Sequence, residues 1–292
     1  MSILPLDELP LPALTAAFNQ ADHQVAAAVE KALPAINLTV EHFLACLQRG
    51  GRIFYLGSGS SGKAAFADAS ECPPTFGIDD GIFIPVISGG LTALSGWREE
   101  TEDDFTLARS DLASFNFSQA DLLLAISASG ATPYALSAIE YANEQNAMTL
   151  GLCCQEGSEL ERSAKHCITV DVGPEIIAGS TRLKAGSAQK MVLNMLSSCT
   201  MIKAGKVYDN LMVDVRPLNQ KLKKRVLDII CQICACSSHA AEAALTRSNG
   251  QAKLAILMLK CQLSLSEAET ALCRHNGHLK RAIRSETHES NH

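Results

Sequence analysis

Apolar and polar residues change rhythm twice along this chain. Up to Gln48 the apolar positions recur at helical spacing, in runs from Leu11 to Phe18, Ala21 to Leu33 and Ala35 to Gln48, and Gly50-Gly51 ends the last of them. From Arg52 short β-rich apolar runs take over: RIFYLG, IFIPVIS from Ile82, DLLLAIS from Asp121, MTLGLCC from Met148 and CITVDV from Cys167. Helical segments near residues 63–70, 100–112, 133–145, 158–165 and 185–204 separate them, each suited to a right-handed crossover. This alternation predicts an α/β fold, a doubly wound parallel sheet covered on both faces. After NLMVDVRPLN the strands cease, and helical patterns follow at 220–234, at 240–247 with 253–260, and at 266–274. The expected plan is a helical lead-in (1–50) packing on the core, an α/β domain (51–217), a small three-helix module (218–284) and a disordered polar tail, SETHESNH (285–292).

Composition narrows the function classes. The chain has 25 Lys+Arg against 31 Asp+Glu and no long basic run, so it lacks the electrostatic footprint for nucleic acid or an anionic membrane. The opening MSILPLDELPLPALTAAF has early acids and prolines and no basic n-region, and Met191 to Ile202 is too short and too interrupted to span a bilayer. A soluble cytoplasmic protein is expected. Eleven cysteines lie scattered in apolar segments, which points to reduced, buried thiols rather than disulfides. Cys231, Cys234 and Cys236, with His239, Cys273 and His275 more distant, sit on an apolar helical stretch with no second CxxC at zinc spacing, so no metal and no cofactor are expected.

In open α/β sheets ligands sit beyond the carboxyl ends of strands, which directs attention to the turns. Gly57-Ser58-Gly59-Ser60-Ser61-Gly62 fits G-x-G-x-x-G, but the second strand ends in Ile87-Ser88-Gly89-Gly90 without the acid that a dinucleotide's ribose requires. Ser127-Ala128-Ser129-Gly130-Ala131-Thr132 repeats the interleaving of glycine and hydroxyls. One such turn could be simple helix capping; two in one sheet favour a phosphate-ester cradle of hydroxyls and backbone N–H groups. A third segment, Gly179 to Lys190, adds Arg182, Lys184 and Lys190 as possible anion contacts. Glu71 stands before Cys-Pro-Pro, a break expected to hold the backbone rigid, and Glu99, Glu100, Glu102, Asp103 and Asp104 follow the second strand as a largely solvated helix face. Two carboxylates at different pKa values could divide acid and base work.

Taken together, DASECPPTFG, GSGSSG, SASGATPY, GSTRLKAGSAQKMVLNML and NLMVDV resemble the N-acetylmuramic acid 6-phosphate etherase family over nearly the whole chain. The resemblance implies a SIS (sugar isomerase) fold related to glucokinase regulatory protein, with a UBA-like C-terminal module and a homodimer. It implies cleavage of a D-lactyl ether by elimination and hydration, giving N-acetylglucosamine 6-phosphate and D-lactate, with Glu71 as the acid and Glu102 as the base. Ser58, Ser60, Ser61, Ser127, Ser129 and Thr132 are the expected phosphate ligands, with Gly59, Lys184 and Lys190 as further substrate contacts. Departures are the unmatched N-terminus, Leu91 where the family has glutamate, and Ala131 and Lys63 where it has arginine. These keep a noncatalytic phosphosugar-binding regulator in view as the alternative; an aldose–ketose isomerase is the third reading.

Overall fold

The computed structural model describes residues 5–95, 101–215 and 220–289. The chain divides into two compact units, Met1–Ser70 with Gly81–Ser197, and Glu71–Asp80 with Ser198–His292. Leu218, where the sequence placed the junction, lies outside the described residues.

The first unit is built on five parallel strands, β1 (Ile53–Gly57), β2 (Phe83–Ile87), β3 (Leu122–Ile126), β4 (Met148–Cys153) and β5 (His166–Thr169), in the order β2-β1-β3-β4-β5. Their apolar residues serve both faces, as a doubly wound sheet requires. On one face Phe54, Leu56, Leu123 and Ala125 pack with Ala108 and Leu112 of α4 (Leu107–Ser114) and with Tyr134, Ala138 and Ile139 of α5 (Pro133–Glu144). On the other, the Phe43 ring of α2 (Leu33–Gln48) meets Tyr55 at a tilt and Phe83 edge-on, with ring centroids 6.0 and 6.2 Å apart. Burial of the three aromatic groups contributes several kcal/mol, at roughly 25 cal/mol per Å² of apolar surface. The mouth of β3 is locked by Arg52, whose Nε and Nη2 donate to the buried Asp121 carboxylate at 2.9 and 2.8 Å.

Several boundaries differ from expectation for identifiable reasons. α1 (Leu11–Lys31) is one 21-residue helix, because Asn19-Gln20 lies on its exposed side and offers no breaker. α3 (Gly59–Phe76) does not stop before Cys72-Pro73-Pro74 but runs through both prolines; the proline φ is already helical, and Gly77 N still reaches Pro73 O at 2.9 Å. The acidic stretch is not a helix face in its described part: Asp104 instead accepts from the Thr106 and Leu107 amides at 2.8 and 3.2 Å, in a turn that leads into α4. Glu99 and Glu100 lie outside the described residues. The remaining first-unit helices are α6 (Glu159–Ser163) and most of α7 (Lys184–Lys203).

The second unit holds a two-stranded antiparallel pair, β6 (Val207–Tyr208) and β7 (Leu211–Met212). It also holds α8 (Gln220–Cys234), α9 (Ser238–Arg247), α10 (Ala252–Lys260), α11 (Leu265–Arg274) and α12 (Leu279–Glu289), packed around Val226, Ile230, Leu254, Ile256 and Leu257. Among the described residues the expected three-helix module is thus five helices. Asn249-Gly250 and Asn276-Gly277, all at positive φ, end α9 and α11 as left-handed caps. Residues 285–289 of the supposed tail are the end of α12, which is anchored by buried Leu279, Ala282 and Ile283; the last three residues lie outside the described set. Gly77 also belongs here: a Cβ on it would sit 1.8 Å from Asp214 O, so only glycine fits. Among the described residues no helix is long and apolar enough to cross a membrane.

Candidate active site

β2 and β3 flank β1 on opposite sides, so the chain leaves β1 and β3 in opposite directions and opens a crevice at their carboxyl ends. A cavity of about 640 Å³ occupies that position in the first unit. Its walls are the β1–α3 turn, the β3–α5 turn, Glu102, Ser88 at the end of β2, and Ser180 to Arg182 ahead of α7.

The β1–α3 turn is shaped by close approach. A Cβ on Gly62 would lie 2.6 Å from both Gly57 O and Ile87 Cγ1, and Gly59 takes φ +51°. These contacts bring the first amides of α3 to the cavity, where helix geometry leaves them without an intrahelical acceptor. Ser61 Oγ donates to Gln189 Oε1 of α7 at 3.0 Å. The Ser58 hydroxyl is buried and has no hydrogen-bond partner among the described residues, while Ser60 is exposed. A hydroxyl desolvated without a partner costs about 1–3 kcal/mol, so one left at a cavity wall is a position awaiting an acceptor or donor.

The β3–α5 turn is satisfied from within. Ser127 Oγ lies 2.8 Å from Thr132 Oγ1 and 3.3 Å from Ser129 Oγ, and it accepts from Gly130 N at 3.0 Å. Gly130 adopts φ +65°, and a Cβ there would meet Ser158 Oγ at 2.4 Å. At the start of α5, Tyr134 N donates to Glu102 O at 3.0 Å. The Glu102 side chain turns the other way, its Oε2 4.0 Å from where a Gly59 Cβ would stand. Glu102 is therefore fastened by its backbone to one turn and presents its carboxylate to the other.

Ser58, Gly59, Ser60, Ser61, Glu102, Ser129 and Thr132 all line the cavity, and Ser127 lies buried behind the last two. Three expected residues do not line it. Lys184 is buried and donates to Val172 O at 2.6 Å, Lys190 pairs with Asp68 at 3.5 Å, and Glu71 is exposed on the part of α3 grouped with the second unit. The cations that do line it are Lys63 and Arg182. Ser88, Ser180 and Thr181 escaped the sequence reading; Ser88 follows a strand end and could have been found by the rule that identified the other turns. Among the described residues no group of three or more His, Cys, Asp or Glu is placed to hold a metal ion, the Cys231, Cys234 and Cys236 run included.

Residues 108–198 match the SIS domain model, and residues 35–143 match the glucokinase regulatory protein N-terminal SIS domain. The N-acetylmuramic acid 6-phosphate etherase 2 of Vibrio cholerae is 47% identical over 255 residues, 87% of this chain and 83% of that protein. Etherase 1 of Bacillus licheniformis is 47% identical over 242 residues, 83% and 80% of the two chains. The etherase of Caldanaerobacter subterraneus is 43% identical over 256 residues, 88% and 84%. Among solved structures, an Escherichia coli CFT073 protein in complex with A5P superposes with a TM-score of 0.52 at 14% identity, over 69% of this chain and 97% of that one. A phosphoheptose isomerase from Francisella tularensis gives 0.50 at 19%, over 68% and 100%. At such identities these two share the fold alone.

Proposed function

The chain belongs to the N-acetylmuramic acid 6-phosphate etherase family, and from that premise we propose that it cleaves the D-lactyl ether of N-acetylmuramic acid 6-phosphate, giving N-acetylglucosamine 6-phosphate and D-lactate. The observation that supports this reading most directly is the unpartnered Ser58 hydroxyl in a turn of hydroxyls and helix-end amides, with the Glu102 carboxylate beside it.

In this reading the phosphate sits on the β1–α3 turn, held by the Ser58, Ser60 and Ser61 hydroxyls and by the positive end of α3. Ser129 and Thr132 complete the cradle, braced by Ser127. The open-chain sugar then presents carbon 2, acidified by the neighbouring aldehyde. Glu102 takes that proton, the bond from carbon 3 to the ether oxygen breaks, and the oxygen departs with a proton from an acid. Water adds to the resulting double bond at carbon 3. The sum is one ether and one water converted to an alcohol and D-lactate.

Glu71 is the acid by resemblance. It belongs to the second unit, and we assign the complete site to a homodimer, in which paired SIS domains share residues. A cytoplasmic location, metal-independent lyase chemistry and a UBA-like fold for part of the second unit belong to the same proposal. The noncatalytic-regulator alternative is not favoured, because the relatives matched over most of the chain are etherases. Incubation of the purified protein with N-acetylmuramic acid 6-phosphate and an assay for D-lactate tests the proposal; substrate that binds without lactate release overturns it.

A further inference from the structure

Arg182 has no part in the scheme above, yet this exposed residue lines the cavity. Among the described residues it makes no hydrogen bond and no ion pair. Four other cations of the first unit are committed elsewhere: Arg52 to Asp121, Arg109 to Glu144, Lys184 to the Val172 carbonyl and Lys190 to Asp68. Lys63 is a second uncommitted cation at the cavity, but it lies one turn into α3, beside the hydroxyls assigned to the phosphate. Arg182 comes from a separate segment, the one ahead of α7.

The substrate carries two anionic groups, and the phosphate accounts for only one. The other is the carboxylate of the lactyl group, hung from carbon 3 next to the carbon that Glu102 deprotonates. Two carboxylates held this close in a partly desolvated cavity repel unless a cation lies nearby. An arginine presents a planar fork that matches a carboxylate with two parallel hydrogen bonds, which a lysine does not.

Building on the etherase reading, we propose that Arg182 binds the lactyl carboxylate. The Ser180–Arg182 segment is then the determinant that selects an amino-sugar phosphate bearing the lactyl ether over one that lacks it. The same pairing offsets the repulsion between substrate and Glu102, and it accompanies the lactate anion as the bond at carbon 3 breaks.

The test compares Arg182→Ala and Arg182→Lys with the wild type in two assays: D-lactate release from N-acetylmuramic acid 6-phosphate, and calorimetric binding of N-acetylglucosamine 6-phosphate. Arg182→Ala raises KM for the lactyl substrate about 10- to 100-fold, the range for a lost hydrogen bond to a charged group. Arg182→Lys recovers part of this, since charge returns without the fork. Affinity for N-acetylglucosamine 6-phosphate stays within about threefold, under 1 kcal/mol. Equal losses for both ligands overturn the proposal by assigning Arg182 to the phosphate; no loss for either overturns it by placing Arg182 in solvent. Circular dichroism and the lysine variant guard against misfolding. A wild type that binds but releases no lactate overturns the etherase reading itself, which is a different result.

Discussion

The two serine turns look alike in sequence and differ in state. In the β3–α5 turn the hydroxyls of Ser127, Ser129 and Thr132 bond one another and the Gly130 amide, and the Tyr134 amide has Glu102 O. In the β1–α3 turn Ser58 has no partner among the described residues, and the first residues of α3 line the cavity. Hydroxyls of the first kind build a loop; those of the second kind leave a desolvated valence for something else to fill. On this difference rests our proposal that the phosphate sits on the first turn, with the second shaping the wall beside it.

The largest effect is expected at the residue that joins them. Glu102→Gln keeps the Tyr134 amide satisfied and the side-chain volume nearly constant while removing the base, so kcat for lactate release falls about 10²- to 10⁴-fold. Binding of N-acetylglucosamine 6-phosphate is retained. A kcat within tenfold of wild type would remove Glu102 from the chemistry.

A paired substitution sharpens the contrast directly. Ser127→Ala strips one hydroxyl from three bonds and costs about 1–3 kcal/mol of stability, read as a lowered Tm. Ser58→Ala removes a buried hydroxyl that has no partner among the described residues, so stability does not fall and rises by up to about 1–3 kcal/mol. Its cost appears instead as a KM raised about tenfold, through the lost bond to a charged phosphate. Two variants with the same balance of Tm and KM changes would mean that the turns do not differ in function.

Those turns were legible because strand, glycine and helix start follow one another within a few residues, so chain order alone fixes their place at the sheet's edge. Arg182, Lys184 and Lys190 were harder. All three follow one turn, but α7 begins at Lys184, and helical phase then decides which cation meets the cavity; that phase depends on how α7 packs, which no local pattern records. Pro73-Pro74 read as a break because a lost donor usually ends a helix, whereas here the helical φ of both prolines lets the chain complete one more turn before α3 ends at Phe76. In the second unit Asn249-Gly250 and Asn276-Gly277 are stop signals that the three-helix reading passed over, and α12 went unread because its end, SETHE, is polar and its anchor is only Leu279, Ala282 and Ile283.

The smallest effect probes what lies beneath the open turn. Gln189 and Lys190 stand side by side on α7, the first bonded to Ser61 and the second to Asp68 of α3. Burial raises the Asp68 carboxyl above its ordinary range, and Lys190 and Ser197 offset this only in part. A carboxyl whose folded pKa is raised contributes stability that is fully present below its unfolded pKa, about 3.9, and is lost as pH rises through the folded value. Asp68→Asn removes that ionisation. Between pH 4 and 7 the wild type therefore loses Tm relative to the variant as pH rises, while KM stays within about twofold because the residue lies behind the cavity and not in it. A gap that instead moves in the wild type's favour would show Lys190 dominating, and the support under the Ser61 turn would then be an ion pair rather than a buried, readily protonated acid.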